Sequence, residues 1–196
     1  MKFLLALLLF SSLSFQVIAQ VKFPVGCYLS FQELRDREPS GKCDLAVEKK
    51  SKGKKFVSTG NDFILSPLNG SISAQTIKDE IWAYSNGSNL YVNGEKMQLY
   101  GDYAKVITDG RFWAFYGTKR KQGFFEAAAP FSDLDAWEKF LYAIDLKACM
   151  VDFAEKEYLI KILLEFPELA KSYKKEISRE SDETILKYIN LCNQTK

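Results

Sequence analysis

Histidine is missing from this chain of 196 residues, and its absence limits the chemistry that the protein can perform. Without histidine there is no Ser-His-Asp or Cys-His catalytic site, no histidine-ligated zinc and no histidine pH switch. The sequence also lacks C-x-x-C, Gly-x-Ser-x-Gly and glycine-rich phosphate-binding patterns. We therefore predict no metal site and no cofactor.

Carboxylates are the remaining groups with which a hydrolase could work. Those nearest to the aromatic segments are Asp79, Glu80, Asp102 and Asp109. A glycosidase needs two carboxylates at a set separation, and spacing along the chain does not place such a pair. A carboxylate-based hydrolase, for example one acting on glycans, is therefore the alternative function and not the first choice.

Aromatic side chains are dense between residues 82 and 125, and exposed rings on a sheet can stack on sugar rings. The candidate binding patch consists of Trp82, Tyr84, Tyr91, Trp113 and Tyr116. A competing interpretation places these residues in the core, because aromatic residues that alternate along strands are typical of buried faces. The alternation favours the core.

Four cysteines, Cys27, Cys43, Cys149 and Cys192, could form two disulfides in an oxidising compartment. The alternative is four buried thiols that behave as small apolar residues. Sequence alone does not separate these cases. Cys43 has the most polar neighbours, so it is the candidate for a reactive thiol.

The N-terminal segment 1–19 has the pattern of a secretory signal peptide. Lys2 precedes the apolar run FLLALLLF, and Val-Ile-Ala precedes a predicted cleavage point at Gln20. The run is far shorter than the ~20 residues that a membrane-spanning helix needs. We therefore predict an exported, soluble protein, either periplasmic or extracellular, without an integral membrane anchor.

The net charge of +2 gives no general attraction to nucleic acid or anionic lipid, so no nucleic-acid partner is predicted. A local exception is the basic run 49–55, KKSKGKK. Its central serine and glycine favour a solvated hairpin loop over a polyanion site.

Residues 20–153 are predicted to form a β-rich domain, because apolar residues alternate and turn residues interrupt them. Asn69-Gly70, Asn86-Gly87 and Asn93-Gly94 are hairpin signals. The predicted strands are 25–30, 45–49, 55–58, 61–66, 79–84, 89–92, 97–100, 103–107 and 111–116. A cap at 132–135 and a closing hairpin of 140–146 with 150–153 follow, with a helix over 134–144 as the alternative. Strand 111–116 is apolar on both faces, which indicates cover on both sides.

Residues 154–196 are predicted to form two to three short helices packed on the β-rich domain. The apolar period changes to 3.6 after Phe153. Pro167 is placed to begin one helix, and Ser181 or Asp182 to cap the next. The fold class is therefore α+β, an antiparallel β meander of sandwich or barrel type followed by C-terminal helices.

Tyr28, Ser30 and Glu33 form a polar cluster near the start of the β-rich domain. A polar site is one interpretation. The favoured one is structural, because Ser30 followed by Glu33 has the spacing of a capping box at a helix start.

Three segments, taken in order, form a recognisable pattern. They are 26–34 (GCYLSFQEL) followed by Pro39-Ser40, then 81–92 with Trp82, Tyr84 and a Tyr-Val pair, and then 163–169 (LLEFPEL). The pattern resembles a group of uncharacterised exported proteins of Bacteroidota-type bacteria, although Ala83 stands where those proteins often have glycine. The resemblance implies an exported bacterial protein with no assigned activity and no catalytic residues to transfer.

Taken together, these patterns predict a non-catalytic binding or structural role in the cell envelope or outside it. A glycan or an envelope protein is the expected kind of partner.

Overall fold

The computed structural model of the chain describes residues 23–51, 61–70, 72–99, 101–120 and 137–195. The predicted signal peptide, the strand at 55–58 and the cap at 132–135 lie outside these residues. The centre of the basic run lies outside them as well. Within them, the predicted α+β class is confirmed, with antiparallel sheets followed by C-terminal helices.

The first sheet has six strands in the order β1-β4-β5-β6-β3-β2, and every neighbouring pair is antiparallel. The strands are β1 (Gly26–Tyr28), β2 (Leu45–Lys49), β3 (Phe63–Pro67), β4 (Ala83–Ser85), β5 (Leu90–Asn93) and β6 (Tyr103–Lys105). Asn86-Gly87 forms the predicted turn between β4 and β5, where the Asn86 side chain accepts hydrogen bonds from the N–H groups of Ser88 and Asn89. Gly87 has a φ of +86°, a conformation that favours glycine.

The predicted strand 79–84 is wrong over its first half. Residues Ala74–Glu80 form helix α2, and the strand begins only at Ala83. Ser73 caps this helix by accepting a hydrogen bond from the Thr76 N–H at 3.0 Å. The side chain of Ile77, which belongs to this helix, is buried against the rest of the protein. The helix therefore forms because of this tertiary contact and because of a cap that lies before the predicted strand.

The predicted strand 97–100 is also wrong over its described residues, 97–99. Glu95–Met97 form a 3₁₀ helix after Asn93, the last residue of β5. The Asn93 carboxamide accepts from the Glu95 N–H at 3.0 Å and donates to the Ile81 carbonyl at 2.9 Å. Asn93 therefore starts a helical turn, and Asn93-Gly94 does not form the predicted tight hairpin.

The second sheet contains β7 (Phe112–Arg120), β8 (Trp137–Asp145) and β9 (Met150–Phe153), in that order and all antiparallel. The predicted closing hairpin is confirmed as β8 and β9, and the alternative helix over 134–144 does not form across its described part. An antiparallel bridge between Val106 and Phe115 joins the two sheets.

Strand β7 is covered on both faces, as predicted. Trp113 and Phe115 pack towards the first sheet, together with Leu90, Val92 and Tyr142. Phe112 and Ala114 face the C-terminal helices on the other side. Those helices are α3 (Lys156–Leu163), α4 (Pro167–Tyr173) and α5 (Asp182–Gln194), while α1 (Phe31–Asp36) follows β1.

The C-terminal helices contact the second sheet through apolar and polar groups. Leu159, Leu163 and Ile189 belong to the same buried cluster as Phe112. The Asn193 side chain pairs with the backbone of Phe112 at the start of β7. It accepts a hydrogen bond from the Phe112 N–H at 2.8 Å and donates one to the Phe112 carbonyl at 2.7 Å, as a neighbouring strand would.

Local signals for the helix ends are confirmed in this part of the chain. Pro167 begins α4, and the Ser181 side chain caps α5 by accepting from the Thr184 N–H at 3.3 Å. At the other end of the chain, Ser30 caps α1 by accepting from the Glu33 N–H at 3.2 Å. The Glu33 carboxylate departs from a strict capping box, because it accepts from Leu29 and Ser40.

A disulfide joins Cys27 in β1 to Cys43 before β2, with the Cα atoms 5.8 Å apart. Cys43 therefore does not carry the free thiol that the sequence suggested. Cys149 and Cys192 are free, the first exposed and the second buried. The structure thus combines one disulfide with two thiols among the described residues, an outcome between the two sequence-based alternatives.

Candidate functional site

The five aromatic residues predicted as a binding patch do not share one surface. Trp113 is fully buried, and its ring lies edge-on to Phe23 with centroids 5.1 Å apart. Tyr84 and Tyr91 are buried in a separate cluster beneath α2. Tyr116 is partly exposed on the side of the second sheet that faces the helices. These four side chains do not combine into one ligand platform.

Trp82 is the member of the predicted patch that reaches a cavity. It is partly buried and lies edge-on to Phe31 of α1, with ring centroids 6.3 Å apart. Together they form one wall of a pocket with a volume of about 650 Å³. This volume is within the range of small-molecule sites, roughly 300–1,000 Å³.

The pocket lies where the second sheet meets α1 and the 3₁₀ segment that follows β5. Its lining is mostly apolar and aromatic, with polar groups from a few positions, and consists of Phe31, Trp82, 96–99, Tyr142 and 149–153. The whole edge strand β9 therefore borders the cavity.

A stack of aromatic rings forms the floor on the β8 side. The Tyr142 ring lies between Phe115 and Phe153, with centroid separations of 5.8 and 4.8 Å and small interplanar angles. Phe140 meets Phe153 edge-on at 5.4 Å. Flat rings of this kind offer a large apolar surface and lose little conformational freedom when a ligand binds.

The turn 146–149, which precedes β9, is stabilised by hydrogen bonds of the Asp145 carboxylate. The Asp145 carboxylate accepts from the Lys147 N–H at 2.8 Å and binds the Arg111 guanidinium at 3.0 and 2.7 Å. Burial by itself would raise the pKa of Asp145, but these hydrogen bonds hold it below the usual value. Arg111 also donates hydrogen bonds to the carboxylate of Glu165, which lies between α3 and α4. Arg111 therefore links the turn at the pocket edge to the C-terminal helices.

Polar groups at the pocket are few and differ in kind. Lys96 and Asp152 supply one charge of each sign, and Gln98 supplies an amide. The Asp152 carboxylate accepts from the N–H of Phe153 at 2.8 Å. The Tyr142 hydroxyl is buried and has no hydrogen-bond partner among the described residues. The site can therefore hold an apolar body and contact a limited number of polar atoms.

None of the four carboxylates considered for hydrolysis lines the pocket: two form salt bridges, and two are exposed on α2. Asp102 pairs with the buried Lys50, and Asp109 pairs with Arg37. Asp79 and Glu80 are exposed on α2. Among the described residues that line the pocket, Asp152 is the one carboxylate.

The polar cluster at the start of the chain also has a structural arrangement. Tyr28 is fully buried, and its hydroxyl donates to the Pro24 carbonyl at 3.1 Å. Burial is the main reason that its pKa is raised to about 12. Ser30 and Glu33 serve the helix start and the following loop, as described above.

A second cavity of about 390 Å³ lies between β8 and the C-terminal helices. It is polar, and both acidic and basic side chains border it: Glu155, Glu157, Glu180 and Asp182 with Lys139 and Lys156. Lys156 pairs with Glu180 at 2.7 Å. No group of three or more histidine, cysteine, aspartate or glutamate side chains suited to a metal ion occurs among the described residues.

Sequence reasoning found Trp82 but missed the other aromatic members of the pocket. Tyr142 and Phe153 lie in the segments predicted as the closing hairpin, and Phe31 lies in 31–37, which the sequence predicts as a short polar turn or a single helical turn. Alternation along 140–153 could have marked Tyr142 as inward-facing, but it could not show that a cavity opens beside it.

The structure has two antiparallel sheets, C-terminal helices and one largely apolar pocket of about 650 Å³ within its described residues. No described helix has the length and apolar character needed to cross a membrane. The chain belongs to a family of unknown function (DUF6563), whose profile matches residues 26–196. The match covers both sheets and the helices. Searches of curated proteins and of solved structures each found no match.

Proposed function

We propose that this protein binds a small, largely apolar ligand in the pocket between α1 and β9, without a catalytic step. The observation that carries the proposal is a cavity of about 650 Å³ walled by Phe31, Trp82 and the Tyr142–Phe153 ring stack. Mostly apolar pockets with a few convergent polar groups are typical of ligand sites.

The composition of the pocket supports binding over hydrolysis. A glycosidase of the usual kind places two carboxylates on either side of the scissile bond. Asp152 alone provides a carboxylate among the described lining residues, and it already accepts a backbone hydrogen bond. No specific observation favours the hydrolase alternative.

Binding can be tested with N-phenyl-1-naphthylamine, a neutral probe whose fluorescence rises in apolar surroundings. We expect a saturable increase with the wild-type protein. Trp82→Ala, which removes one wall, should weaken binding by about tenfold or more, because a large apolar contact is lost. Met150→Ala should weaken it less, since Met150 lies at the open edge and is half exposed.

Leu164→Ala is the matched control, because it removes an equally apolar side chain that is exposed on another face of the molecule. Its probe affinity should equal that of the wild type. If the wild-type protein shows no saturable signal, or if Leu164→Ala loses as much affinity as Trp82→Ala, the pocket is not a binding site.

We also propose that the protein is exported and that residues 1–19 are removed, so that it acts in the cell envelope or outside it. The disulfide between Cys27 and Cys43 supports this, because disulfides persist mainly in oxidising compartments. Intact mass spectrometry of the protein from its native cells should give a chain that starts at Gln20 and carries one disulfide. Retention of residues 1–19 or fully reduced cysteines would contradict export.

A further inference from the structure

Lys96 is a partly buried lysine in the wall of the pocket between α1 and β9. It forms no ion pair with any carboxylate of the described residues. Every other lysine with a described side chain either pairs with a carboxylate or is exposed. Lys96 is therefore the one described lysine that combines a partly buried stem with an unpaired charge.

The Lys96 ammonium group is accessible to solvent, although the stem of the side chain is partly covered. Among the described residues, the enclosed side-chain polar atoms without a partner are the Trp113 Nε1 and the hydroxyls of Tyr142 and Tyr158. The Lys96 Nζ is not one of them, and it has no acceptor in this part of the chain. Lysine side chains commonly cover apolar surface with the stem and keep the charged end in water. A ligand in the pocket therefore lies within reach of this charge.

The backbone that carries Lys96 is held by buried neighbours. Asn93 is 2% exposed, and its carboxamide accepts from the N–H groups of Glu95 and Lys96 at 3.0 and 3.5 Å. The same carboxamide donates to the Ile81 carbonyl at 2.9 Å, and the Met97 side chain is buried. The start of the Lys96 side chain is thus fixed at the pocket wall, and only its end is free to adjust.

The turn around Lys96 presents hydrogen-bond donors to the pocket. Gln98, from the same turn, also lines the cavity, and its carboxamide has no partner among the described residues. The neighbouring carboxylate of Glu95 pairs with Lys78 at 3.2 Å and does not line the cavity. The turn therefore supplies one positive charge and one amide donor, a combination that suits an anion.

Asp152 is the opposite charge among the described lining residues, and it lies on β9. It is exposed, and its carboxylate already accepts from the Phe153 N–H at 2.8 Å. Lys96 has no such bond and is less exposed, so Lys96 is the charge that a ligand complements best.

We propose that the ligand of this pocket carries a carboxylate on its apolar body, and that the Lys96 ammonium group binds this carboxylate. The inference rests on the proposed function and names the chemical class of its ligand: a monocarboxylate with an apolar body, as opposed to a neutral or cationic molecule. The apolar body contacts Phe31 and Trp82, and the Gln98 amide donates to the carboxylate. Lys96 is thus a specificity-determining residue of the pocket.

The test uses 2-naphthylacetate and 2-naphthylacetamide, which have nearly the same shape and differ in charge. Each compound is titrated against the full mature protein loaded with N-phenyl-1-naphthylamine, and displacement of the probe gives its affinity. We expect the wild type to prefer the carboxylate by about tenfold, between the effects of an exposed ion pair and of a buried charged hydrogen bond. Lys96→Met keeps the apolar stem and should bind the two compounds within about twofold of each other.

Lys105→Met is the matched control, because Lys105 is an exposed lysine of β6 that does not line the pocket. This variant should keep the preference of the wild type, and so should Lys96→Arg, which retains the positive charge. Raising the salt concentration from about 0.05 M to about 0.5 M should weaken binding of the carboxylate, since salt screens accessible charges. Binding of the amide should stay within about twofold.

The other outcomes separate the inference from the proposed function. Equal affinity of the wild type for both compounds, a preference that survives in Lys96→Met, or one that is lost in Lys105→Met overturns the role of Lys96 and leaves the pocket in place. The same holds if the probe binds but neither compound displaces it. Tighter binding of 2-(2-naphthyl)ethylamine than of the carboxylate, with this advantage lost in Asp152→Asn, would show a cationic ligand and overturn the inference. Absence of any saturable signal from N-phenyl-1-naphthylamine contradicts the pocket itself.

Discussion

Replacing Leu163 with alanine is expected to lower the free energy of unfolding by about 2–5 kcal/mol, the usual cost of removing a buried leucine side chain. Leu163 is the last residue of α3, and only 2% of its surface is exposed. It lies in the same cluster as Phe112 and Leu141 of the second sheet. We propose that the C-terminal helices and the β-rich part unfold together, so urea unfolding should show one transition at a lower midpoint.

The neighbouring Leu164 is the control. It has the same side chain but is 78% exposed, so Leu164→Ala should change the unfolding free energy by no more than about 0.5 kcal/mol. An unchanged midpoint for Leu163→Ala would show that the helices do not stabilise the sheet. A second, separate transition would show that they fold as an independent unit.

Removing the disulfide is expected to lower the unfolding free energy by about 3 kcal/mol, the value for closing a loop of this length in the unfolded chain. Cys27 and Cys43 are separated by 16 positions in the sequence. The double variant Cys27→Ala/Cys43→Ala should therefore unfold at lower urea than the wild type. Treatment with a reductant should shift the wild type towards the double variant and leave the double variant unchanged.

Cys149→Ala is the matched control, since Cys149 is a free and exposed cysteine. Its unfolding free energy should stay within about 0.5 kcal/mol of the wild type. Alkylation of the unreduced, denatured wild type should modify Cys149 and Cys192 alone, and all four cysteines after reduction. Modification of all four without a reductant would contradict the disulfide.

Helix ends and one turn could be predicted because their causes lie within a few residues. Ser30 and Ser181 cap the helices that follow them, Pro167 begins α4, and Asn86-Gly87 makes the hairpin between β4 and β5. In each case a side chain bonds a nearby backbone group or restricts its own φ, so the neighbours in sequence are enough.

The segment 74–84 could not be predicted in the same way. Its apolar residues are too few to separate a short helix from a strand by period. Tyr103, from β6, donates a hydrogen bond to the Ile77 carbonyl at 2.7 Å and packs beneath α2. The residue that stabilises the end of this helix is thus distant in sequence.

The candidate site shows the same limit. Sequence alternation indicated buried aromatic residues, and Tyr84, Tyr91 and Trp113 are buried. It did not show that Trp82 would face a cavity with Phe31 and Phe153. Both are at least 50 positions away along the chain. Phe31 lies near Trp82 because β1 pairs with β4, and Phe153 belongs to the second sheet, which is joined to the first at Val106 and Phe115.

The sequence by itself determined the α+β class, the double-sided burial of β7 and the helical character of the C-terminal segment, because periodicity and caps act locally. Only the tertiary structure decided which cysteines pair, which aromatic residues border the pocket and which buried hydroxyls lack a partner among the described residues. The physical reason is that each of these depends on distances between segments far apart in the chain. The local conformational preferences of each segment do not specify those distances. They are set when the segments pack closely in the core.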